Sequence, residues 1–312
     1  MCYSAEVEAE YRLYVREHGA TLSIKEYFDI FWRRKDDGSI KIPKAMEAPF
    51  FNPTTDQERE IKALIDDFNR EQKAKFEAEF FTQRTRLLEA ERKLQLKTTK
   101  GALESQRIAT SKIEKAQLKL SDLRRTELLP RDSRIFPQTY APVIVMEEGR
   151  RVIKPMRYQC RLAGKPAFYD EKYPGTYNAR RDNLEGFWKP AFGRTHGIMI
   201  VNTFYENVDR VDDAGEVTKV VLKFQPQPAQ QMLVACLWSR WTAPDQPDLL
   251  SFAAITDEPP AEVAAAGHDR CIVPIKPENV DAWLNPVPGD LAKMYAILDD
   301  RARPYYEHRL AA

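Results

Sequence analysis

The sequence predicts an α+β fold: a mainly antiparallel β-sheet with peripheral helices, interrupted by a long inserted helical hairpin. Two observations carry this. From residue 134 onward, short runs rich in Val, Ile, Leu and aromatic residues succeed one another, separated by Gly, Pro, Asp and Asn. They lack the intervening helices of about 10–15 residues that a doubly wound parallel sheet requires. Residues 54–128, by contrast, contain no proline and one glycine, Gly101, and are densely charged.

Taken in order, residues 1–53 mix helical and irregular signals. Residues 6–15 read as a helix stopped by Gly19, and 23–32 read as another. Pro43, Pro49 and Pro53 then break the chain into extended pieces. In 54–128 the apolar residues recur in steps of four and three. Phe76, Phe80, Leu87, Ala90 and Leu94 form one stripe, interrupted at Gln83. Ala102, Ala109, Ile113, Ala116, Leu120 and Leu123 form a second, interrupted at Gln106. Such steps keep residues on one helix face. With a turn at Thr98-Thr99-Lys100-Gly101, they predict an antiparallel coiled-coil hairpin with arms of about 25–40 residues. Strands follow at 143–146, 152–159, 197–205, 219–224, 232–241, 249–255 and 270–275, and helices at 277–284 and 289–300 close the chain. The organisation read from this is one β-rich domain, 1–53 and 129–312, carrying the insertion 54–128.

Composition narrows the function classes. At 43% hydrophobic residues the chain has enough apolar side chain for a proper core, which excludes wholesale disorder. No run approaches the ~20 apolar residues of a membrane helix. The first residues, Met1-Cys2-Tyr3-Ser4-Ala5-Glu6, lack the basic and apolar regions of a signal peptide. A cytoplasmic protein without membrane contact is expected. With 48 Lys+Arg against 47 Asp+Glu, a uniformly basic coat is excluded, whereas a local basic cleft is not. Cys2, Cys160, Cys236 and Cys271 are widely spaced, so neither a zinc site nor a disulfide framework is expected. The last three sit in apolar contexts and read as small buried hydrophobes.

Cys2 is the most informative residue. A small side chain after Met1 favours aminopeptidase removal of the methionine. That would expose an α-amine of pKa ~7.7–8.0 beside a thiol of ~8.5, both partly unprotonated near neutral pH. Such a 1,2-aminothiol attacks an aldehyde twice, through an imine and then a five-membered thiazolidine. It can also act as nucleophile and base in one residue.

Three further segments accompany it: Tyr177-Asn178-Ala179-Arg180 after a Pro/Gly turn, Val201-Asn202-Thr203-Phe204-Tyr205-Glu206 at a strand end, and Gly267-His268-Asp269-Arg270-Cys271-Ile272-Val273-Pro274 in a loop. Read alone, Asn178 suits a turn, Glu206 a surface strand end and His268 a hydrogen-bonded loop. With Met1-Cys2, and in this order, they resemble the SRAP family (SOS response-associated peptidase domain). Phe187-Trp188-Lys189-Pro190, 252–256 and Asp281-Ala282-Trp283-Leu284 resemble the family's linking segments. The match covers the N-terminus and roughly 135–290. The chain departs from the family at Tyr3-Ser4, where a basic side chain is common, and at Asn207, where tryptophan is usual. Lys165-Pro166-Ala167-Phe168-Tyr169 replaces a Trp-rich wedge, and the compact family pattern has nothing to match residues 54–128.

The resemblance implies a barrel-like domain that covalently caps abasic sites in single-stranded DNA, a self-modifying reaction needing neither metal nor organic cofactor. It implies thiazolidine formation by Cys2, positioning by Asn178, orientation of the α-amine and proton transfer by Glu206, and acid/base work by His268. Arg180 and Arg270 would hold phosphates, and Phe168 or Tyr169 would stack on bases. Two other readings use the same sequence: an N-terminal cysteine (auto)peptidase, and a scaffold whose hairpin binds a partner or a second copy of itself.

Overall fold

The computed structural model describes residues 3–211 and 215–311. Cys2, the predicted nucleophile, lies outside them. The chain divides into two compact units, one of residues 1–52 and 129–312 and one of 53–128.

The larger unit runs β1 (Ser4–Val7), α1 (Tyr11–His18), β2 (Thr21–Leu22), α2 (Ile24–Arg33) and the single turn α3 (Lys44–Glu47) before the insertion. The insertion is α4 (Asp56–Leu96) and α5 (Lys100–Arg124). The chain continues with β3 (Arg134–Ile135), β4 (Tyr140–Glu147), β5 (Arg150–Tyr158), α6 (Tyr169–Lys172) and β6 (Asn178–Arg180). Four long strands follow: β7 (His196–Val211), β8 (Val217–Gln227), β9 (Met232–Ala243) and β10 (Gln246–Asp257). Then come α7 (Ala261–Ala265), β11 (Cys271–Ile272), α8 (Val280–Leu284), α9 (Leu291–Asp299) and β12 (Tyr305–Leu310).

Five strands close a barrel in the order β10, β5, β4, β7, β9 and back to β10. Four of these pairings are antiparallel, and the β5–β10 pairing that completes the ring is parallel. Alternate residues fill the interior: Ala141, Val143 and Val145 from β4, Met199 and Val201 from β7, Val234 and Cys236 from β9, Phe252 and Ala254 from β10. This is the period-2 rule of a strand with one face inward. Ile144, Ile198, Ala235 and Ala253, the intervening residues, are buried too, which is why these strands read as continuous apolar runs. Gly197 on β7 is required by close approach, because a Cβ there would stand 2.8 Å from Val143 Cγ1 and 3.2 Å from the Ile144 carbonyl oxygen.

Strand β7 outruns the barrel. Its first half pairs with β4 and β9, whereas its second half pairs with β1 on one side and β8 on the other. Strand β12, unforeseen in the sequence, extends this outer layer by pairing with β8. Residues 6 and 7 are strand and not helix: the short segment satisfies its backbone by pairing Glu6 with Thr203 and Val7 with Val201, and tertiary pairing overrides the helix preference of a glutamate-rich stretch. The strand expected at 270–275 is confined to Cys271–Ile272. Among the described residues, no helix is long and apolar enough to cross a membrane.

In the second unit, Thr55 and Thr99 cap α4 and α5, their hydroxyls accepting from the Glu58 and Ala102 amides. The inter-helix turn therefore falls at Lys97–Thr99, with Gly101 inside the first turn of α5. The predicted stripes meet: Leu87, Ala109 and Ile113 form a buried cluster against Phe80. Lys112 pairs with Glu79 at 3.4 Å, Arg86 Nε donates to Ser105 Oγ at 3.0 Å, and the Lys119 ammonium lies 4.8 Å from the Phe76 ring centroid. Partners ascend on one helix as they descend on the other, the register of an antiparallel pair.

Because Ile113 belongs to the buried cluster between the helices, truncating it should loosen the pair. Ile113→Ala is expected to lower the opening free energy of α4 and α5 by about 2 kcal/mol. Hydrogen exchange of their amides reads this directly, and unchanged protection would contradict the packing described.

Candidate active site and nucleic-acid interface

The outer half of β7 carries Glu206, fully buried opposite Leu222 of β8. β1 enters the same corner, with Ser4 paired to Tyr205. The loop after α7 brings His268 in from another side, and its Nε2 lies 3.2 Å from Glu206 Oε2. His268 Nδ1 lies 2.8 Å from the Arg270 carbonyl oxygen. The Arg270 amide approaches the same Nδ1 at 3.4 Å, but the carbonyl contact is the shorter and a carbonyl only accepts, which favours the imidazole proton on Nδ1 with Nε2 facing Glu206.

The electrostatics agree with that tautomer. Burial pushes the Glu206 carboxyl up to about 8, with the Asp269 charge adding to the rise and the Tyr3 amide opposing it. Burial also lowers His268, against the Arg270 carbonyl and Asp269, which favour its charged form. These directions favour, at neutral pH, a protonated carboxyl facing a neutral imidazole, an arrangement with no net charge to desolvate.

Strand β6 supplies Asn178, 4% exposed and paired in register with Ala254 of β10. Among the described residues, neither polar atom of its side-chain amide has a hydrogen-bond partner, an expensive state for a buried amide. The neighbouring Tyr177 ring packs edge-on against Tyr3 at 6.2 Å. Arg180 donates to Asp182 at 2.8 Å and Arg270 to the same carboxylate at 3.3 Å. One exposed aspartate thus gathers both predicted phosphate ligands at the end of β10, where β6 and β11 both pair with Thr256.

Phe168 and Tyr169 belong to a different patch. Phe168 is 57% exposed, and a row of ring contacts runs from it through Tyr169, Tyr173 and Phe187 to Trp188 at spacings of 4.9–6.0 Å. Lys165 and Lys172 lie over the Tyr169 ring. The remaining cysteines are core residues: burial raises the Cys160 thiol to about 12 and pushes Cys236 and Cys271 higher still. His196 is structural, driven down to about 3 by burial, with its ring nitrogens bonded to the Gly193 amide and the Trp283 carbonyl.

Sequence reading passed over Arg134, whose guanidinium hydrogen-bonds Ser4 Oγ at 2.9 and 3.0 Å and lies 3.6 Å from the Tyr205 ring centroid. Its only signal was the onset of strand character after the insertion.

A buried carboxyl–imidazole pair thus sits on the outer extension of a five-stranded barrel, with Arg180 and Arg270 gathered at the end of β10. Residues 99–310 match the model of the SOS response associated peptidase (SRAP) family, and the chain belongs to that family. Membership associates it with the DNA-damage response and with DNA. No curated protein matches the chain. Among solved structures, it is similar to a protein from Bacteroides thetaiotaomicron at 13% identity and a TM-score of 0.47, over 57% of this chain and 77% of that one. A protein from Bordetella bronchiseptica matches at 17% identity and 0.45, over 58% and 87%. A phage-related protein from the same organism matches at 18% and 0.44, over 57% and 80%.

The raised carboxyl has a measurable consequence. Between about 4.5 and about 8 the folded state keeps a proton that the unfolded chain has released, so stability falls as pH rises across this window. Glu206→Gln removes that titration. Its stability relative to wild type should improve from pH 5 to pH 8 by one to a few kcal/mol, on the order of 1.4 kcal/mol per pKa unit. Urea denaturation at the two pH values measures it, and parallel curves would contradict a buried, proton-retaining Glu206.

Proposed function

We propose that the protein binds single-stranded DNA and covalently caps abasic sites through Cys2, which immediately precedes Tyr3 at the Glu206 corner. The observation that carries this reading is the buried Glu206–His268 pair, whose Glu206 lies on the outer half of β7, the strand to which β1 is hydrogen-bonded. After removal of Met1, the Cys2 α-amine attacks the C1′ aldehyde of the ring-opened deoxyribose. The carbinolamine loses one water to give an imine. The thiol then adds across the C=N bond, its sulfur bonding to C1′ and its proton passing to nitrogen. The product is a thiazolidine, with one water released overall. Each step moves a proton, and the pair offers both a carboxyl that gives one and an imidazole nitrogen that takes one. Asn178, whose amide has no hydrogen-bond partner among the described residues, hydrogen-bonds the sugar or the cysteine in this reading. Arg180 and Arg270 hold flanking phosphates, at the cost of sharing Asp182, while Phe168 and Tyr169 stack on bases. The family's DNA-damage association supports the substrate class.

Intact-protein mass spectrometry after incubation with a single-stranded oligonucleotide bearing one abasic site tests this. The expected mass is protein without Met1 plus oligonucleotide minus one water, stable to heat and absent for Cys2→Ser. Glu206→Gln should slow its appearance by about a hundredfold, the usual worth of general acid–base catalysis. A mature N-terminus with no adduct would favour the hydrolytic reading.

A further inference from the structure

A cavity of about 430 Å3 opens where β1, β7, β8 and β12 meet the segment following the insertion, and no role given to the site residues above uses it. Its polar lining is Glu6, Arg131, Arg134, Tyr205, Lys223 and Arg309. Four of these six are cationic and one is an acid. That acid is already committed: Glu6 accepts from the Tyr205 hydroxyl and, at 3.0 Å, from the Lys223 ammonium. Among the described residues, neither Arg134 nor Arg309 is paired with a carboxylate. Among the described residues, the cavity lining therefore carries more cationic than acidic side chains, in a chain whose overall charge is only +1.

Arg134 is held for a purpose that its own contacts do not exhaust. Its Nε and Nη2 donate to Ser4 Oγ, and its guanidinium lies between two rings, 3.6 Å from the Tyr205 centroid and 4.9 Å from that of Phe136. Stacking and a bond to a neutral hydroxyl fix the fork without neutralising it, and a fixed fork suits phosphate geometry. The rings continue outward. Phe136, 38% exposed, meets Tyr3 at 5.8 Å, and Tyr3, 43% exposed, meets Tyr177 beside Asn178 at 6.2 Å. Exposed aromatic faces leading to a basic hollow are the elements of a single-strand track.

We propose that this cavity binds a backbone phosphate of single-stranded nucleic acid, with Arg134 as its principal ligand, Lys223 and Arg309 adding charge, and Tyr3 and Phe136 as the stacking surface that leads the strand to it. The assignment of nucleic acid rests on the abasic-site reading above, but the binding is separable from that chemistry.

The test is fluorescence anisotropy of the full chain with an intact single-stranded oligonucleotide at several salt concentrations. Arg134→Ala should weaken binding about tenfold, as loss of one charge-assisted contact does. It should also flatten the slope of log affinity against log salt by about 0.7, the loss of one phosphate contact. Arg134→Lys, which keeps the charge without the fork, should fall between. Arg309→Ala, on the exposed strand β12, should weaken binding in the same direction and carries the test if Arg134→Ala does not fold. Wild-type affinity and slope in these variants would overturn the proposal. So would inorganic phosphate that shifts the Arg134 Nε resonance without displacing the oligonucleotide, which would assign the cavity to a free anion. Adduct formation measured in parallel separates the two ideas. Arg134-dependent binding without an adduct removes the capping reaction alone, whereas an adduct with Arg134-independent affinity removes the cavity's role alone.

Discussion

Glu206 is a carboxyl group shut away from water with an imidazole for a neighbour, and the organisation of the site depends on that confinement. Ionising a carboxylate in such surroundings is costly, and an imidazolium there would be penalised as well. The arrangement that avoids both costs is a shared proton: the carboxyl retains its own, His268 keeps its proton on Nδ1 against the Arg270 carbonyl, and Nε2 accepts. The same arrangement is suited to moving protons, because donor and acceptor are held a hydrogen bond apart with little charge to reorganise. A carboxyl raised in this way costs stability at neutral pH, and strongly perturbed ionisation in a buried corner marks a candidate functional site.

The barrel makes the confinement possible by letting one strand serve two layers. The first half of β7 is locked between β4 and β9, so its second half leaves the barrel with its direction already fixed. β1 and β8 then flank it, the former bringing in the N-terminal segment and the latter pairing Leu222 with Glu206. On the other side of the corner, β10 holds β6 and β11 at the same residue, Thr256. This joins the Asn178 strand to the loop of His268 and explains why Arg180 and Arg270 reach a common aspartate. The cavity around Arg134 lies along the same outer layer, so the proton-transfer pair and the basic hollow are both built on strands that the barrel projects.

Much of the fold was legible in the residues, and the parts that were not share a cause. The hairpin could be read because heptad steps and the absence of proline act locally, and Leu87, Ala109 and Ile113 lie where their stripes put them. The long strands could be read because β-branched and aromatic runs between turn residues have few other uses. Strand β6, the strand conformation of Glu6-Val7 and the terminal β12 were missed because their conformation comes from a partner strand and not from their own composition. The parallel β5–β10 closure is likewise a matter of register that no local pattern encodes. For the site, composition and spacing left Asn178, Glu206 and His268 open to ordinary roles, and the motif order suggested reading them together. Arg134 escaped notice as one of 48 basic residues; only its seat between Tyr205 and Phe136 distinguishes it.

The central claim is that Glu206 holds its proton at neutral pH inside this corner. Carbon-13 spectroscopy of the side-chain carboxyls in glutamate-labelled protein, with the Glu206 resonance assigned by its loss in Glu206→Gln, tests it without reference to substrate. A carboxyl shift that titrates near 8, accompanied by a His268 ring that stays neutral with its proton on Nδ1, is the predicted result. A Glu206 carboxylate already ionised by pH 5, or a His268 imidazolium persisting at pH 7, would contradict it.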